Sequence, residues 1–361
     1  MADSVVSETL VVQSHRGPYE VHFDQDGPAD LDANLPANAH VLIDARVASL
    51  YAKELAKILS SPSVLRIEAK EPNKSLEAMP RYVDHLIARK IRRNHVLVAI
   101  GGGIIQDITC FLAATMLRGL PWNFIPTTLL AQADSCIGSK SSINAGEAKN
   151  ILGTFTPPAR VDVSTRFLKT LDERDIRSGI GEMLKVHAIE GPQSFDQIAH
   201  DYENILSDDS VMLHYIRRSL DIKKRIIEID EFDRGPRNVM NYGHSFGHAI
   251  ESATDFAVPH GIAVTLGMDL ANYTAVRTGR TGEAFFQRMH PILRANYRGF
   301  ERLEISIDRF LTALAKDKKN RDGEISLILP NGDGRITPVL RKSDDAFRSI
   351  CADYFAERRC R

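Results

Sequence analysis

Three histidines in the second half of the chain have a spacing that suits a metal site. His244 and His248 are four residues apart, so on a helix they would share one face. His260 follows twelve residues later. Two of these imidazoles and one carboxylate would make a zinc site that leaves a position open for a substrate oxygen. The alternative is a helix whose histidines hydrogen-bond their neighbours, which is the more common outcome for a pair at this spacing.

A glycine-rich turn indicates a second kind of chemistry. Gly101–Gly103 lies between an apolar strand pattern over 95–100 and a helix pattern over 105–118. Glycines allow a backbone to approach a pyrophosphate closely, and the N-terminus of the following helix faces the anion. Asp44 ends an earlier strand, where its carboxylate could accept hydrogen bonds from a ribose. A tight turn without a ligand is the alternative interpretation.

Cationic side chains that could hold an anion recur along the chain, although its formal net charge is only -1. No overall field therefore recruits a nucleic acid or an anionic membrane, and an anionic ligand must be held by a local cluster. Glu182 and Lys185 have the spacing of an ordinary surface ion pair on a helix, but Glu182 would also supply the carboxylate that the histidines lack. A small polyanionic substrate would explain the remaining cations, which are Arg118, Lys140, Lys149, Lys223, Arg237, Lys316, Lys318 and Lys319.

The hydrophobic pattern changes once along the chain. From about residue 10 to 125, short apolar runs alternate with amphipathic ones, which predicts strands and helices that take turns around a parallel sheet. After about residue 166, long helical periods follow one another, and only a late hairpin over 324–339 has a strand pattern. We therefore expect an α/β domain over 1–168 and a helical domain over 169–361. The tail from Cys351 to Arg361 is predicted to be the end of an amphipathic helix on the surface.

Length and composition limit the class of protein. With 361 residues the chain exceeds one ordinary hydrophobic core, which favours two domains or one large one. Its four cysteines form no close Cys-x-x-Cys pair, so a reducing, cytoplasmic setting is expected. The N-terminus lacks a basic start followed by an apolar core, and no apolar run reaches the roughly 18 residues that a membrane span requires.

The order of these residues, with several further motifs, resembles the dehydroquinate synthase family, the sugar phosphate cyclases. The motifs run from about Asp44 to Pro330 and read Gly101-Gly102-Gly103-x3-Asp107, Pro126-Thr127-Thr128-Leu129-Leu130-Ala131-Gln132-x-Asp134-Ser135, Lys149-Asn150-x2-Gly153-x-Phe155, Gly181-Glu182-x2-Lys185, Arg237-x3-Asn241-x-Gly243-His244-x2-Gly247-His248-Ala249-x-Glu251, His260-Gly261-x-Ala263-Val264-x2-Gly267-Met268 and Asp317-Lys318-Lys319.

The resemblance implies a Rossmann-like N-terminal domain that binds NAD, a helical C-terminal domain that binds zinc or cobalt, and a homodimer. The metal ligands would be Glu182, His244 and His260, and His248 would then belong to the substrate side, which revises the first pairing. Cofactor positions would be Asp44, Glu71, Lys74, Gly101, Gly102, Gly103, Asp107, Thr127, Thr128, Asp134, Lys140, Lys149 and Asn150. Substrate and catalytic positions would be Asp134, Lys140, Asn150, Lys185, Lys223, Arg237, Asn241, His248, Lys318 and, reaching across the dimer, Arg118.

The reaction of the family uses these groups in sequence. NAD takes a hydride from a ring carbinol whose oxygen the metal polarises, and the resulting ketone acidifies the neighbouring C–H. Phosphate then leaves, the same NADH reduces the ketone, and the opened enol closes on a carbonyl as an intramolecular aldol. Lysines and His248 would hold the phosphate, which could itself take the proton.

The resemblance also bears on the substrate. Members of the family act on 3-deoxy-arabino-heptulosonate 7-phosphate, sedoheptulose 7-phosphate or glucose 6-phosphate, and only the first carries a carboxylate. Lys223, Arg237 and Asn241 match the pattern that engages acid and phosphate groups, which favours the dehydroquinate-type reaction of the shikimate pathway.

Three departures from the family pattern keep other substrates open. The usual Gly-Gly-Lys has Ser139 at its second position, the usual His-Pro-x-Gly-Lys reads Ala-Gly-Glu-Ala-Lys over 145–149, and the usual Glu after His-Gly is Ile262. Cyclases of sedoheptulose 7-phosphate or glucose 6-phosphate are therefore the alternatives. A metal-dependent polyol dehydrogenase, which would consume or produce free NADH, is a more distant one.

Overall fold

The chain forms two compact units. The computed structural model describes residues 9–23, 31, 35–316, 320, 324–357 and 359. The first unit comprises Met1–Leu171 and Lys224–Phe232, and the second comprises Asp172–Lys223 and Asp233–Arg361. The hydrophobic pattern did not indicate that Lys224–Phe232 returns to the first unit.

A seven-stranded sheet is the centre of the first unit. The strands of this unit are β1 (Thr9–Val12), β2 (Tyr19–Phe23), β3 (Ala39–Asp44), β4 (Leu65–Ile67), β5 (Val96–Gly101), β6 (Trp122–Pro126), β7 (Lys140–Ala145), β8 (Ala148–Phe155) and β9 (Arg160–Val163), and its helices are α1 (Ala45–Leu50), α2 (Ala56–Ser60), α3 (Met79–Ala88) and α4 (Gly103–Thr115). The sheet has the order β1-β2-β9-β6-β5-β3-β4. Only the β1–β2 pair is antiparallel, and β7 and β8 form a separate antiparallel hairpin.

Buried apolar side chains cover the central strands of this sheet. Strand β5 is buried or nearly buried along its whole length, as expected for a parallel strand that is covered on both faces. Val98 and Ile100 pack with Val41 and Ile43 of β3 and with Phe167 in one cluster. The prediction of an α/β fold with a parallel sheet is confirmed.

Two local features of the first unit do not follow from the hydrophobic pattern. Residues 45–60 form two short helices, α1 and α2, separated by a turn over 51–55. The polar stretch over 131–155 forms the short π-helix Ala131–Ser135 and the β7–β8 hairpin. In β7 an exposed lysine is followed by the buried residues Ser141, Ile143 and Asn144, so polar and apolar residues share its buried positions.

Helices make up most of the second unit. They are α5 (Glu173–Glu190), α6 (Pro192–His200), α7 (Tyr202–Ser207), α8 (Asp209–Ile229), α9 (His244–Ala253), α10 (His260–Arg277), α11 (Glu283–Asn296), α12 (Ile307–Ala315) and α13 (Asp345–Ala356), and the hairpin β10 (Glu324–Pro330) and β11 (Ile336–Lys342) accompanies them. The last residues of α8 belong to the first unit. Helix α10 is buried from Gly261 to Ala275, which makes it the central helix, since a helix that is apolar all round must be surrounded by others.

The C-terminal tail corrects another prediction. Cys351 and Tyr354 of helix α13 have exposures of 0%, and Phe347 is equally buried. The helix therefore contributes to the core of its unit and does not lie on the surface. No helix among the described residues is long and apolar enough to cross a membrane.

Candidate active site and metal centre

Four side chains from three helices of the second unit lie together. Glu182 comes from the middle of α5, His244 and His248 from the first turns of α9, and His260 from the start of α10. The Nε2 atoms of His244 and His260 lie 3.5 Å and 3.4 Å from Oε1 of Glu182. The three histidines offer ring nitrogens within 4.8 Å of one another. Carboxylate and imidazole atoms at these distances suit a divalent transition metal.

The position of Glu182 against His260 depends on two glycines. A Cβ at Gly181 would lie 2.1 Å from the carbonyl oxygen of Gly261, and a Cβ at Gly261 would lie 1.8 Å from that of Ser178. Only residues without a Cβ allow helices α5 and α10 to approach so closely. Because each glycine is the sequence neighbour of a predicted ligand, this backbone contact sets the distance between Glu182 and His260.

The second nitrogen of two of these imidazoles faces an acceptor. Nδ1 of His260 lies 3.2 Å and 3.3 Å from the carboxylate oxygens of Glu251, and Nδ1 of His244 lies 3.4 Å from the carbonyl oxygen of Tyr242. Since those oxygens only accept, Nδ1 carries a hydrogen in each ring, which leaves Nε2 as the atom that could bind a metal when the ring is neutral. Metal-binding histidines are oriented in this way by a second acceptor. Sequence reasoning gave Glu251 no role, although it is the last residue of the motif that contains His244 and His248.

Glu182 and Lys185 form a buried ion pair, and not the surface pair that is usual at this spacing. Their side chains are 2% and 3% exposed. Burial acts to raise the pKa of Glu182, but Lys185 and the neighbouring imidazoles of His244 and His260 outweigh it and hold that pKa well below its usual value. Burial and Lys185 lower the pKa of His244. For His260, the carboxylates of Glu182 and Glu251 outweigh burial and raise the pKa to about 10.

The other predicted substrate residues of the second unit differ in exposure. His248 is exposed, and its ring centroid lies 5.4 Å and 5.6 Å from those of the other two histidines. Lys223 and Arg237 are each only 6% exposed. Asn241 donates to a backbone carbonyl three residues earlier at 3.1 Å. Lys318 lies outside the described residues.

The predicted glycine turn of the first unit lies between β5 and α4. In Gly101–Gly103, a Cβ on the first residue would lie 2.5 Å from a side-chain carbon of Ile105, and one on the second would lie 2.9 Å from Thr128. The third glycine has nothing within 4 Å of such a carbon, which leaves open space at the N-terminus of α4, where an anion is stabilised. The N–H of Thr127 donates to the carbonyl oxygen of the first glycine at 3.0 Å and holds the end of β6 beside the turn.

Four predicted cofactor residues of the first unit form one polar cluster. The buried Nζ of Lys74 donates to Oδ2 of Asp107 at 3.1 Å and to Oδ1 of Asn150 at 3.0 Å. It also lies 3.6 Å from Oε1 of Glu71. Burial raises the pKa of Asp107 to about 6, although Lys74 acts in the opposite direction. Lys74 and Asn150, which are 76 positions apart in the sequence, therefore meet in one cluster.

The other predicted residues of the first unit lie in several different elements. Asp44 ends β3 and caps α1 through its side chain, and burial raises its pKa. Asp134 lies in the short π-helix. Lys140 and Lys149 are exposed residues of the β7–β8 hairpin. Arg118 has a φ of 67° and lines a cavity of about 490 Å³.

Gln106 is a residue that sequence reasoning missed. Its Nε2 donates to the backbone carbonyl of Ser135, and Oγ of Ser135 donates to its Oε1, both at 2.6 Å. This reciprocal pair ties helix α4 to the π-helix that carries Asp134. An amide among apolar residues is the only signal in the sequence, since a buried amide needs partners for both of its polar atoms.

Sequence comparison identifies relatives of the whole arrangement. The family models "3-dehydroquinate synthase N-terminal" and "3-dehydroquinate synthase C-terminal" match residues 64–178 and 179–320. A 3-dehydroquinate synthase from Caldanaerobacter subterraneus subsp. tengcongensis is 32% identical over 360 residues, which cover 95% of this chain and 99% of that protein.

Solved structures of similar fold come from related enzymes. A 2-epi-5-epi-valiolone synthase from Streptomyces hygroscopicus subsp. jinggangensis 5008, with NAD+ and Zn2+ bound, has a TM-score of 0.80 and 29% identity, and the match covers 99% of this chain and 100% of that one. A 2-deoxy-scyllo-inosose synthase complexed with carbaglucose-6-phosphate, NAD+ and Co2+ has a TM-score of 0.81 at 21% identity, with 97% and 100% coverage. The second likeness concerns the fold alone.

Proposed function

The chain belongs to the 3-dehydroquinate synthase family, and from this premise we propose that it converts 3-deoxy-arabino-heptulosonate 7-phosphate into 3-dehydroquinate and phosphate. The proposed enzyme is a carbon–oxygen lyase that uses NAD and a divalent metal ion and consumes neither. The observation that carries the proposal is the buried carboxylate of Glu182, which faces the Nε2 atoms of His244 and His260 at 3.5 Å and 3.4 Å.

We assign Zn2+ or Co2+ to Glu182, His244 and His260. Both oxygens of Glu182 are buried; Oε2 faces the ammonium group of Lys185, and Oε1 faces the Nε2 atoms of His244 and His260, so Oε1 is the atom that can join the two imidazoles as a metal ligand. Glu251 and the carbonyl of Tyr242 hold the two rings with Nε2 toward that carboxylate. The donor set fits a catalytic metal of three protein ligands and one open position.

We assign NAD to the first unit. The open space at Gly103 and the N-terminus of α4 suit its pyrophosphate, and the carboxylate of Asp44 at the end of the neighbouring strand suits a ribose. The polar cluster around Lys74 would contact the cofactor as well. The full set of proposed cofactor residues is Asp44, Glu71, Lys74, Gly101, Gly102, Gly103, Asp107, Thr127, Thr128, Asp134, Lys140, Lys149 and Asn150.

Buried cations support an anionic substrate. Lys185, Lys223 and Arg237 are 2%, 6% and 6% exposed, and charge-assisted hydrogen bonds from such buried cations to anions are stronger than hydrogen bonds between neutral groups. Phosphate and carboxylate groups of the substrate would be such anions, and the guanidinium of Arg237 suits a carboxylate because it can donate two parallel hydrogen bonds. The other proposed substrate residues are Arg118, Asp134, Lys140, Asn150, Asn241, His248 and Lys318.

The residues of this chain would act by binding, orientation and proton transfer. When bound, NAD supplies a temporary hydride acceptor and the metal a Lewis acid, so that a ring alcohol is oxidised and later reduced with no net change in NAD. Arg237 and the buried lysines hold the substrate by its anionic ends. The exposed imidazole of His248 lies beside the metal site and can move a proton at the phosphate that leaves. Closing the ring by an aldol step requires the opened product to remain held by these same contacts.

The choice of substrate rests on few residues. Identity to the dehydroquinate synthase is 32% and identity to the valiolone synthase is 29%, so identity alone separates them little. Arg237 with Lys223 and Asn241 favours the substrate that carries a carboxylate. Ser139 and Ile262 depart from the dehydroquinate pattern, which makes sedoheptulose 7-phosphate and then glucose 6-phosphate the competing substrates.

We further propose that the protein is a cytoplasmic homodimer without nucleic acid or membrane partners. Four cysteines without a close pair support a cytoplasmic setting. A net charge near zero supports the lack of nucleic acid and membrane partners. Arg118 would enter the substrate site of the partner subunit. This assignment follows the family resemblance.

Phosphate release from the three candidate substrates tests the proposed function. With NAD and Zn2+ or Co2+ present, the enzyme should release phosphate from 3-deoxy-arabino-heptulosonate 7-phosphate at least about tenfold faster, as kcat/KM, than from the other two. Arg237→Lys should reduce that preference, because lysine keeps the charge but loses the paired hydrogen bonds. A preference for sedoheptulose 7-phosphate would reassign the substrate, and no release from any of the three would reject the cyclase.

A further inference from the structure

Ser139 has a backbone conformation that residues with side chains rarely adopt. Its φ is 62°, and that of Gly138 before it is 108°. Glycine reaches this left-handed region without strain, whereas a Cβ makes it unfavourable. Glycine is also the usual residue of the family at this position. The contacts of Ser139 must therefore offset a cost that glycine would not incur.

Glu231 provides such a contact. Oγ of Ser139 donates a hydrogen bond to Oε1 of Glu231. The same carboxylate accepts the backbone N–H of His15 at 2.7 Å, and Nδ1 of His15 lies 3.0 Å away. Burial acts to raise the pKa of Glu231, but these hydrogen bonds outweigh it and lower the pKa. A charged acceptor is therefore present at neutral pH, and charge-assisted hydrogen bonds are the stronger kind.

The turn that Glu231 holds leads directly into Lys140. The N–H of Lys140 donates to the carbonyl oxygen of Gly138 at 2.7 Å, and the carbonyl oxygen of Ser139 accepts from the N–H of Thr156 at 2.7 Å. Lys140 is also the first residue of β7. The direction in which the Lys140 side chain leaves the backbone is therefore set by the conformation of Ser139.

Phe232 strengthens the same attachment. Its ring centroid lies 5.2 Å from that of His15 and 5.2 Å from that of Phe155. Phe155 is the residue of β8 that pairs with Lys140. Glu231 and Phe232, which are consecutive in the segment Lys224–Phe232, thus contact the turn and the strand partner of Lys140.

We propose that Glu231 is a positioning residue that acts through Ser139 to fix Lys140. The proposal rests on the proposed function, in which Lys140 contacts the sugar phosphate and the cofactor. Glu231 holds Ser139 in the left-handed conformation, and its contacts with His15 anchor the turn to the loop between β1 and β2. In a chain with glycine at position 139, the same turn would depend less on this carboxylate.

A double-mutant comparison of kinetic constants tests this coupling. Glu231→Ala should raise KM for the sugar phosphate about tenfold and change kcat less, because Lys140 is misplaced while the chemistry remains. A loss of folded enzyme would lower the apparent kcat and leave KM unchanged. The KM of Ser139→Gly alone should stay within about threefold of the wild-type value. In the double variant of Ser139→Gly and Glu231→Ala, KM should fall most of the way back to the wild-type value.

Glu228→Ala is the matched control. Glu228 lies in the same segment and accepts the backbone N–H of Gln13 at 2.8 Å, so its loss also removes an attachment to the loop between β1 and β2. It should leave KM within about twofold of the wild type. An unchanged KM in Glu231→Ala, or no rescue by glycine at position 139, overturns the proposal.

Hydrogen–deuterium exchange gives a readout that does not need turnover. Backbone amides over 138–142 should exchange at least about tenfold faster in Glu231→Ala than in the wild type or in Glu228→Ala. If the wild type released no phosphate from any sugar phosphate, the proposed function would fail, and exchange would still decide whether Glu231 holds the turn. Equal exchange in all three proteins contradicts the proposal.

Discussion

At the scale of single residues, Glu182 is the side chain whose burial most needs an explanation. It is 2% exposed beside Lys185, His244 and His260. Glu182→Gln keeps the shape but removes the charge that a metal ligand supplies. We expect purified Glu182→Gln to lose bound Zn2+ or Co2+ and at least about a hundredfold in phosphate release, with folding retained. Metal analysis after dialysis, together with circular dichroism, measures both.

His248→Ala is the control for that substitution. All three histidines are close enough to bind one ion, but we assign the ligand positions to His244 and His260, whose second nitrogens face acceptors. His248→Ala should therefore keep the metal and lose turnover. Loss of metal in His248→Ala with retention in Glu182→Gln would replace the assignment by a site of three histidines.

His187 gives a prediction about pH that is independent of the metal. It is 1% exposed, its Nδ1 lies 2.8 Å from Oγ of Ser194, and Ser194 in turn donates to Glu190. Burial lowers the pKa of His187 to about 4. Between its ordinary value of about 6.5 and 4, the unfolded chain binds a proton that the folded chain does not. The free energy of unfolding should therefore fall by about 2 kcal/mol from this group between pH 7 and pH 4.5.

His187→Asn tests that linkage. Asparagine can replace the donor at Nδ1 but does not titrate. In urea unfolding at pH 7 and pH 4.5, the variant should lose about 2 kcal/mol less stability than the wild type over the same interval. Equal losses in both proteins would show that His187 is not the group responsible.

At the scale of elements, the metal site depends on how closely α5 and α10 cross. A Cβ at Gly181 would lie 2.1 Å from the carbonyl oxygen of Gly261 and 2.6 Å from Oγ1 of Thr265. Gly181→Ala should destabilise the protein by about 1–3 kcal/mol, because the helices must separate, and should also weaken metal binding, because Glu182 moves with α5. Thermal unfolding and metal titration check the two effects.

Gly282→Ala is the comparison for Gly181→Ala. A Cβ at Gly282 would meet nothing within 4 Å, so the same chemical change should alter stability by no more than about 0.5 kcal/mol and leave metal binding unchanged. Similar effects of the two substitutions would mean that the helix crossing does not control the site.

The same elements show what the sequence could and could not predict. A continuous apolar run that leads into three glycines predicted strand β5 and the glycine turn, and long helical periods predicted the helices of the second unit. The hairpin of β7 and β8 was not predicted, since the buried positions of β7 include the polar residues Ser141 and Asn144. The burial of Lys185 was not predicted either. Local spacing describes only neighbours on one helix, whereas the histidines that surround the Glu182–Lys185 pair come from two other helices.

At the scale of the whole molecule, residues near one site come from distant parts of the chain. Glu182, His244 and His260 were assigned through resemblance, because spacing first paired His244 with His248. The returning segment Lys224–Phe232 had no signal in the hydrophobic pattern, since it continues the amphipathic period of α8. Long-range packing of this kind is decided by tertiary contacts that a periodic pattern does not contain.

The central claim is that one bound NAD is used and restored in every turnover. It is tested most directly by following phosphate and the NADH absorbance together, with 3-deoxy-arabino-heptulosonate 7-phosphate in large excess over NAD. The account predicts many phosphates released per NAD, one 3-dehydroquinate formed per phosphate, and no accumulated NADH. Accumulation of NADH in proportion to substrate consumed, without release of phosphate, would contradict it and would indicate a dehydrogenase.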